Sequence, residues 1–344
     1  MPPQLADQLA DWLSDCLGTT VDPTALEIDR PTSGGWSNET WLVRTGLDDP
    51  AQVVIRLQPD RAAMFPSYDL GRQVACLRTL TDQPETPVPR VLGFDAAGDR
   101  LGRPAFVMAH IEGRIPRDDR PTFAESGFLR DASSADRRQF FTSLLDVLAA
   151  VHRTDIAQPS LEPVRRAGAQ DSNAVAVDGL RQLWAWDRGE RWPSSIDAAL
   201  ERLGDDPPEP SDEVLLWGDA RPANVIVSAT GFTPVALLDW ELASIGSPEH
   251  DVVWLLEMNH MRITGAGLPP LPGFLDDDAA VRHYEQVSGR QLADLDWYRL
   301  FAATRVAVLM HRYLRAAVHA GQLPHDHKLL SDTVASRRLS EFDG

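Results

Sequence analysis

Three polar residues in one short region have the types and spacing needed to move a phosphoryl group. Asp219 and Asn224 stand five positions apart in Leu216-Trp217-Gly218-Asp219-Ala220-Arg221-Pro222-Ala223-Asn224. Asp239 follows fifteen positions later, after an apolar run, in Leu237-Leu238-Asp239-Trp240-Glu241. A carboxylate can accept the proton of an attacking hydroxyl. A carboxamide and a second carboxylate are hard oxygen donors suited to Mg²⁺ on nucleotide phosphates. A loop Asp also makes local turns, but an Asn at plus five and an Asp at plus twenty favour the chemical reading. The expected reaction carries the γ-phosphoryl group of ATP, with GTP left open, to a hydroxyl.

Neighbouring residues extend the candidate set. Arg221, two after Asp219, could set a bidentate fork on the transferred group, or tether its loop to an acidic neighbour. Glu241 is a third metal-ligand candidate beside Asn224 and Asp239, with a solvated or structural carboxylate as the alternative. Lys328 is the only lysine of the chain, so an arginine must do whatever a lysine would do for phosphates in the N-terminal half. Arg56, in Val53-Val54-Ile55-Arg56-Leu57, is the candidate; an outward-facing strand Arg is the alternative.

The elements that must position these residues fall into two groups. An amphipathic helix over residues 4–17 opens the chain, with Leu5, Leu9, Trp12, Leu13, Cys16 and Leu17 on one face. Strands follow at Leu26 to Arg30, Thr40 to Arg44 and Gln52 to Leu57, then a helix over Tyr68 to Leu80. Strands at Arg90 to Phe94 and Pro104 to Ile111 complete an antiparallel five-strand pattern with one inserted helix. From Ala135 the period becomes helical: Phe140, Leu144, Leu145, Leu148 and Val151 trace a buried stripe ending at His152. Helical pieces surround Trp184 and Leu200, and the breaker cluster at 205–210 marks a surface loop. Helices are expected at Asp251 to Met261, Ala279 to Val287 and Leu292 to Ala320.

Together these motifs resemble the aminoglycoside phosphotransferase family. They are Gly218-Asp219 with Asn224, Leu238-Asp239-Trp240-Glu241, and Gly246-Ser247-Pro248-Glu249-His250-Asp251. Gly34-Gly35-Trp36-Ser37-Asn38, Val88-Pro89-Arg90-Val91, Met108 to Gly113 and Val151-His152 fall in family order, so the resemblance covers nearly the whole chain. It is strongest to the branch of kinase-like domains found beside acyl-CoA dehydrogenases, and to related actinobacterial phosphotransferases. The resemblance implies an α+β, two-lobed protein-kinase-like fold, with a small β-rich lobe at 1–108 and a helical lobe at 109–344. It implies Asp219 and Arg221 as catalytic, Asn224, Asp239 and Glu241 on metal, and Arg56, Ser37, Gln73, Ala109 and Ile111 on the nucleotide. Arg56 would stand where kinases carry the third-strand Lys, and Gln73 where its Glu partner lies, so that ion pair is in doubt. An adenine would meet the backbone of Ala109 and Ile111. Trp217, in place of a frequent His, is expected in the core, and Asp251 is expected to prop the catalytic loop.

The formal net charge of −18 argues against nucleic-acid and anionic-membrane partners. No secretory leader and no membrane-length apolar run is evident, and Cys16 and Cys76 lack metal or redox spacing, so a reduced, cytoplasmic protein with buried thiols is expected. The partner implied is a small-molecule hydroxyl acceptor. The apolar stretch Met258 to Phe274 favours a less polar acceptor over an aminoglycoside or other antibiotic, and an acyl-CoA acceptor would draw on Arg312 or Arg315. A catalytically silent kinase-like nucleotide-binding protein is the competing class, on the strength of Gln73, Trp217 and the missing lysine.

Overall fold

A computed structural model describes residues 3–30, 38–59, 64–165, 172–210 and 212–342. The candidate turn Gly34 to Ser37, and with it Ser37 as a phosphate contact, lies outside the described residues.

Helix α1 (Pro3–Leu17) is followed by strands β1 (Glu27–Asp29), β2 (Glu39–Arg44) and β3 (Gln52–Leu57), helix α2 (Leu70–Leu80), and strands β4 (Val91–Asp95) and β5 (Ala105–Ala109). The five strands form one antiparallel sheet in the order β1-β2-β3-β5-β4. The alternation in β3 decides the face: Val53, Ile55 and Leu57 are fully buried. They pack with Leu9, Trp12 and Leu13 of α1, leaving Val54 and Arg56 on the opposite face. Close contact of α1 with the sheet requires Gly93, because a Cβ there would lie 2.2 Å from Cys16 Sγ. Cys16 is thus half-buried, while Cys76 is sealed and burial pushes its thiol pKa up to about 12. Helix α2 starts later than the apolar pattern suggests, because Asp69 serves as its N-cap, accepting from Arg72 N–H.

The remainder is mainly helical: α3 (Phe128–Asp131), α4 (Ser134–Val151), α5 (Ser172–Trp186), α6 (Ser194–Asp205), α7 (Glu249–Arg262), α8 (Asp277–Ser288), α9 (Leu295–His319) and α10 (Val334–Arg338). Two small sheets interrupt it, β6 (Val214–Leu216) with β9 (Ser244–Gly246), and β7 (Val225–Val227) with β8 (Pro234–Leu237). Helix α4 begins at a capping box between Ser133 and Asp136 and runs as the apolar stripe predicts. The connections between these sheets carry the candidate residues: Asp219 to Asn224 links β6 to β7, and Asp239 to Glu241 links β8 to β9. Among the described residues no helix is long and apolar enough to cross a membrane.

Candidate active site

The loop after β6 is clamped from below. Asp251, on the first turn of α7, accepts Trp217 N–H at 2.6 Å and Gly218 N–H at 2.8 Å, and lies 3.2 Å from His152 Nε2. His152 Nδ1 is 2.6 Å from the Tyr284 hydroxyl. Trp217 is fully buried, with its indole N–H donating to Leu238 O. Gly218 has φ +87°, and a Cβ there would lie 2.1 Å from Leu242 O, so neither the turn nor its packing admits a side chain.

Asp219 therefore leaves a rigid platform, and three donors fix its carboxylate. Trp254 Nε1 donates to Oδ1 at 2.9 Å; Asn224 Nδ2 at 2.7 Å and Arg221 Nε at 2.9 Å donate to Oδ2. The Asn224 amide also donates to Asp219 O at 3.0 Å, which turns its oxygen away from Asp219. Arg221 reaches on to Asp118, which Arg262 also grips with two nitrogens. Burial would lower the Arg221 pKa, but the carboxylates of Asp219, Asp118 and Asp239 outweigh it and hold the group cationic. Burial would raise Asp118, yet the Arg262 hydrogen bond and the Arg221 charge keep its carboxyl below the usual range.

Two cavities flank the segment 239–241. The first, of about 530 Å³, lies between the sheet and the helical lobe and is lined by Thr40, Arg56, Gln73, Met108 to Gly113, Leu237 and Asp239. Here Arg56 donates from Nη1 to its cross-strand neighbour Thr40 at 3.1 Å and from Nη2 to Asp239 Oδ1 at 3.0 Å. Asp239 holds a left-handed φ of 62°, rare for a residue with a side chain. The second cavity, of about 540 Å³, is lined by Arg72, Gln73, Gly218, Glu241 and Arg305 among others. Glu241 lines this cavity and accepts from Asn38 Nδ2 at 2.8 Å.

A family model described as APH, phosphotransferase enzyme family, matches residues 29–301. The chain belongs to the APH phosphotransferase family. Its curated relatives include mouse acyl-CoA dehydrogenase family member 10, 28% identical over 79% of this chain, and chicken acyl-CoA dehydrogenase family member 11, 26% identical over 72%. The matches span only 24% and 30% of those longer proteins. Among solved structures, a Ralstonia eutropha protein described provisionally as an aminoglycoside phosphotransferase has a TM-score of 0.70 at 20% identity, covering 98% of this chain and 95% of that one. A Plasmodium vivax ethanolamine kinase gives 0.59 at 12% identity, covering 92% and 82%. These likenesses establish the two-lobed kinase-like fold.

The APH fold brings together Asp219, Arg221, Asn224, Asp239 and Arg56, and sets other candidates apart. Arg56 takes Asp239 as its ionic partner, while Gln73, buried on α2, faces both cavities. Ala109 N–H donates to Arg90 O, so a ring edge could meet Ala109 only through its carbonyl. Ile111 lines the same cavity. Met258, Met261, Ile263 and Leu271 are core residues, so the apolar stretch is helix packing rather than an acceptor wall. Arg312 and Arg315 both bind Asp187, which removes them as ready phosphate contacts. Asp118, Trp254, Arg262 and Arg305 had no sequence signal: Asp118 reaches Arg221, Trp254 reaches Asp219 and Arg305 reaches Gly218 from distant parts of the chain, and Arg262 acts through Asp118.

Proposed function

We propose that this phosphotransferase moves the γ-phosphoryl group of ATP to a hydroxyl of a small molecule in an Mg²⁺-dependent reaction. The observation that carries the reading is the Asp219 carboxylate, held by three donors on a clamped loop while Asp239 is presented to the interlobe cavity beside Arg56. Transfer through a loose transition state asks chiefly for placement of the hydroxyl, and a carboxylate fixed at both oxygens supplies it. The donor set fits a hard cation. Asp239 offers a carboxylate and Asn224 an amide oxygen, its N–H₂ already taken by Asp219. Asn224 and Asp239 would hold the metal, which when bound neutralises charge on the phosphate oxygens. Glu241, tied to Asn38, is better read as a link between lobes. Arg56 would bind phosphate oxygens, Arg221 would face the transferred group, and the Ala109 carbonyl with Ile111 would edge the base. The proposed lobe boundary is 108/109, at the end of β5.

The test is an ATP-consumption screen of the purified protein against alcohols, sugars, antibiotics and hydroxyacyl thioesters, followed by Asp219→Asn. That variant keeps nucleotide affinity and loses turnover by about two to four decades. Turnover equal to wild type would remove Asp219 from the mechanism. A silent nucleotide binder would give ATP affinity without turnover on any acceptor.

A further inference from the structure

The second cavity holds cationic groups that the fold itself leaves short of partners. Arg305, on α9, donates to Gly218 O at 2.7 Å and lies over the Trp254 ring at 4.3 Å. Among the described residues it has no carboxylate within ion-pair distance, although a guanidinium carries five N–H donors. Among the described residues Arg72, on α2 and 29% exposed, approaches only Asp69, at 3.9 Å, and its Nε is sealed from solvent without a hydrogen-bond partner. A buried guanidinium short of partners is costly unless a ligand completes it. Four acids share the lining, Asp69, Glu213, Glu241 and Asp251, and among the described residues none lies within ion-pair distance of Arg305. Asp251 accepts two backbone N–H groups, Glu241 accepts from Asn38, and Asp69 caps α2. Glu213 is exposed. The third lining arginine, Arg165, is exposed and donates to Glu162 and to three backbone carbonyls. Gly218, the residue before Asp219, lines the cavity, and the Trp254 ring that Arg305 covers donates its N–H to Asp219.

We infer that the second cavity seats the acceptor, and that the acceptor carries an anionic group, a carboxylate or a phosphate, bound by Arg305 and Arg72 with its hydroxyl directed to Asp219. The inference rests on the phosphotransferase reading for the hydroxyl but not for the anion. Planar, two-pronged donors suit both oxyanions, whereas an amine-rich acceptor would set positive charge against two arginines.

The test uses matched hydroxyl compounds: hydroxyhexanoate, hexanediol monophosphate, the hydroxyhexanoate methyl ester and aminohexanol. Calorimetric affinity and ATP-dependent phosphorylation are measured separately for each. The two anions are expected to bind at least tenfold tighter than the ester or the amine, and their ranking tells carboxylate from phosphate. Arg305→Gln should remove at least tenfold of that affinity, and Arg305→Lys should restore part of it. Arg72→Gln should lose a smaller factor, and unchanged ATP affinity in each variant reports an intact fold. A purely structural Arg305, holding Gly218 alone, would leave anion selectivity unmoved in Arg72→Gln and in Arg305→Lys. No anion binding, binding of the ester or amine at equal strength, or anion affinity unchanged in both Gln variants would overturn the inference. Phosphorylation of the amine in preference to the anions would overturn it while leaving the kinase reading standing. Anion binding lost with Arg305 but without phosphorylation would leave it standing and count against the kinase reading.

Discussion

Arg56→Ala separates a working phosphate cleft from a strand arginine that merely pairs with Asp239. The guanidinium lies 3.0 Å from Asp239 Oδ1, with the two side chains 12% and 17% exposed, so the pair is largely desolvated but reachable from the cavity. A charge-assisted hydrogen bond contributes about 1.5–3 kcal/mol, and about 1.4 kcal/mol is one decade of affinity. Loss of the guanidinium should therefore weaken ATP by about one to two decades. Adenosine, which offers no phosphate, should bind as before. Arg56→Lys should recover part of the loss, since the charge returns without the two-pronged geometry that now serves Thr40 and Asp239 together. The assay is calorimetric titration of ATP and adenosine at fixed Mg²⁺, with thermal unfolding of each variant alongside. The unliganded Ala variant should also be less stable by about 1–2 kcal/mol, below the range for removing one partner of a fully buried pair because both groups touch solvent. Equal losses for ATP and adenosine would locate the damage in folding. No loss for either would confine Arg56 to its ion pair and refute the phosphate role.

Two further substitutions test neighbouring groups. Asp239→Ala should abolish the Mg²⁺ dependence of nucleotide affinity, measured with and without chelator; retained dependence would move the metal elsewhere. Asp118→Asn should lower thermal stability by about 1–3 kcal/mol at neutral pH, because two arginines lose their shared carboxylate. The folded pKa of Asp118 is depressed, so its contribution is complete above the unfolded value of about 4 and fades as pH falls through the folded value. The gap in melting temperature between wild type and Asp118→Asn should accordingly be flat from about pH 6 to 8 and close on acidification below about pH 4. A gap independent of pH would mean that lost packing, not charge, is what the variant reports.

What the sequence discloses here is what it stores locally. Asp219, Asn224 and Asp239 lie on the two loops that flank the short β7–β8 hairpin, so they stay close after folding. Alternation along β3 left the face of Arg56 open, and the absence of any competing lysine singled it out; the structure sets it on the face opposite Ile55, lining the interlobe cavity. The family resemblance marks Asp251 as a prop, and it does hold the loop, accepting Gly218 N–H. The shell around Asp219 was not legible. Asp118 meets Arg262 across 144 positions and Arg221 across 103, and no periodicity links loop residues at that range. The apolar run after Met258 misled because a core stripe and a ligand wall share one composition; burial alone tells them apart. Arg312 and Arg315 likewise looked available until Asp187, more than a hundred residues earlier, closed on both.

The segment Asp239-Trp240-Glu241 has a thermodynamic consequence. Its first residue lines one cavity and is bonded to Arg56, its last lines the other and is bonded to Asn38, and Trp240 between them is 1% exposed and donates to Leu237 O. Three residues thus form a common wall with no slack in the middle. If filling one cavity shifts this wall and so changes the affinity of the other by some factor, filling the second must change the affinity of the first by the same factor. Coupling between the two cavities through this segment would thus be measurable from either side.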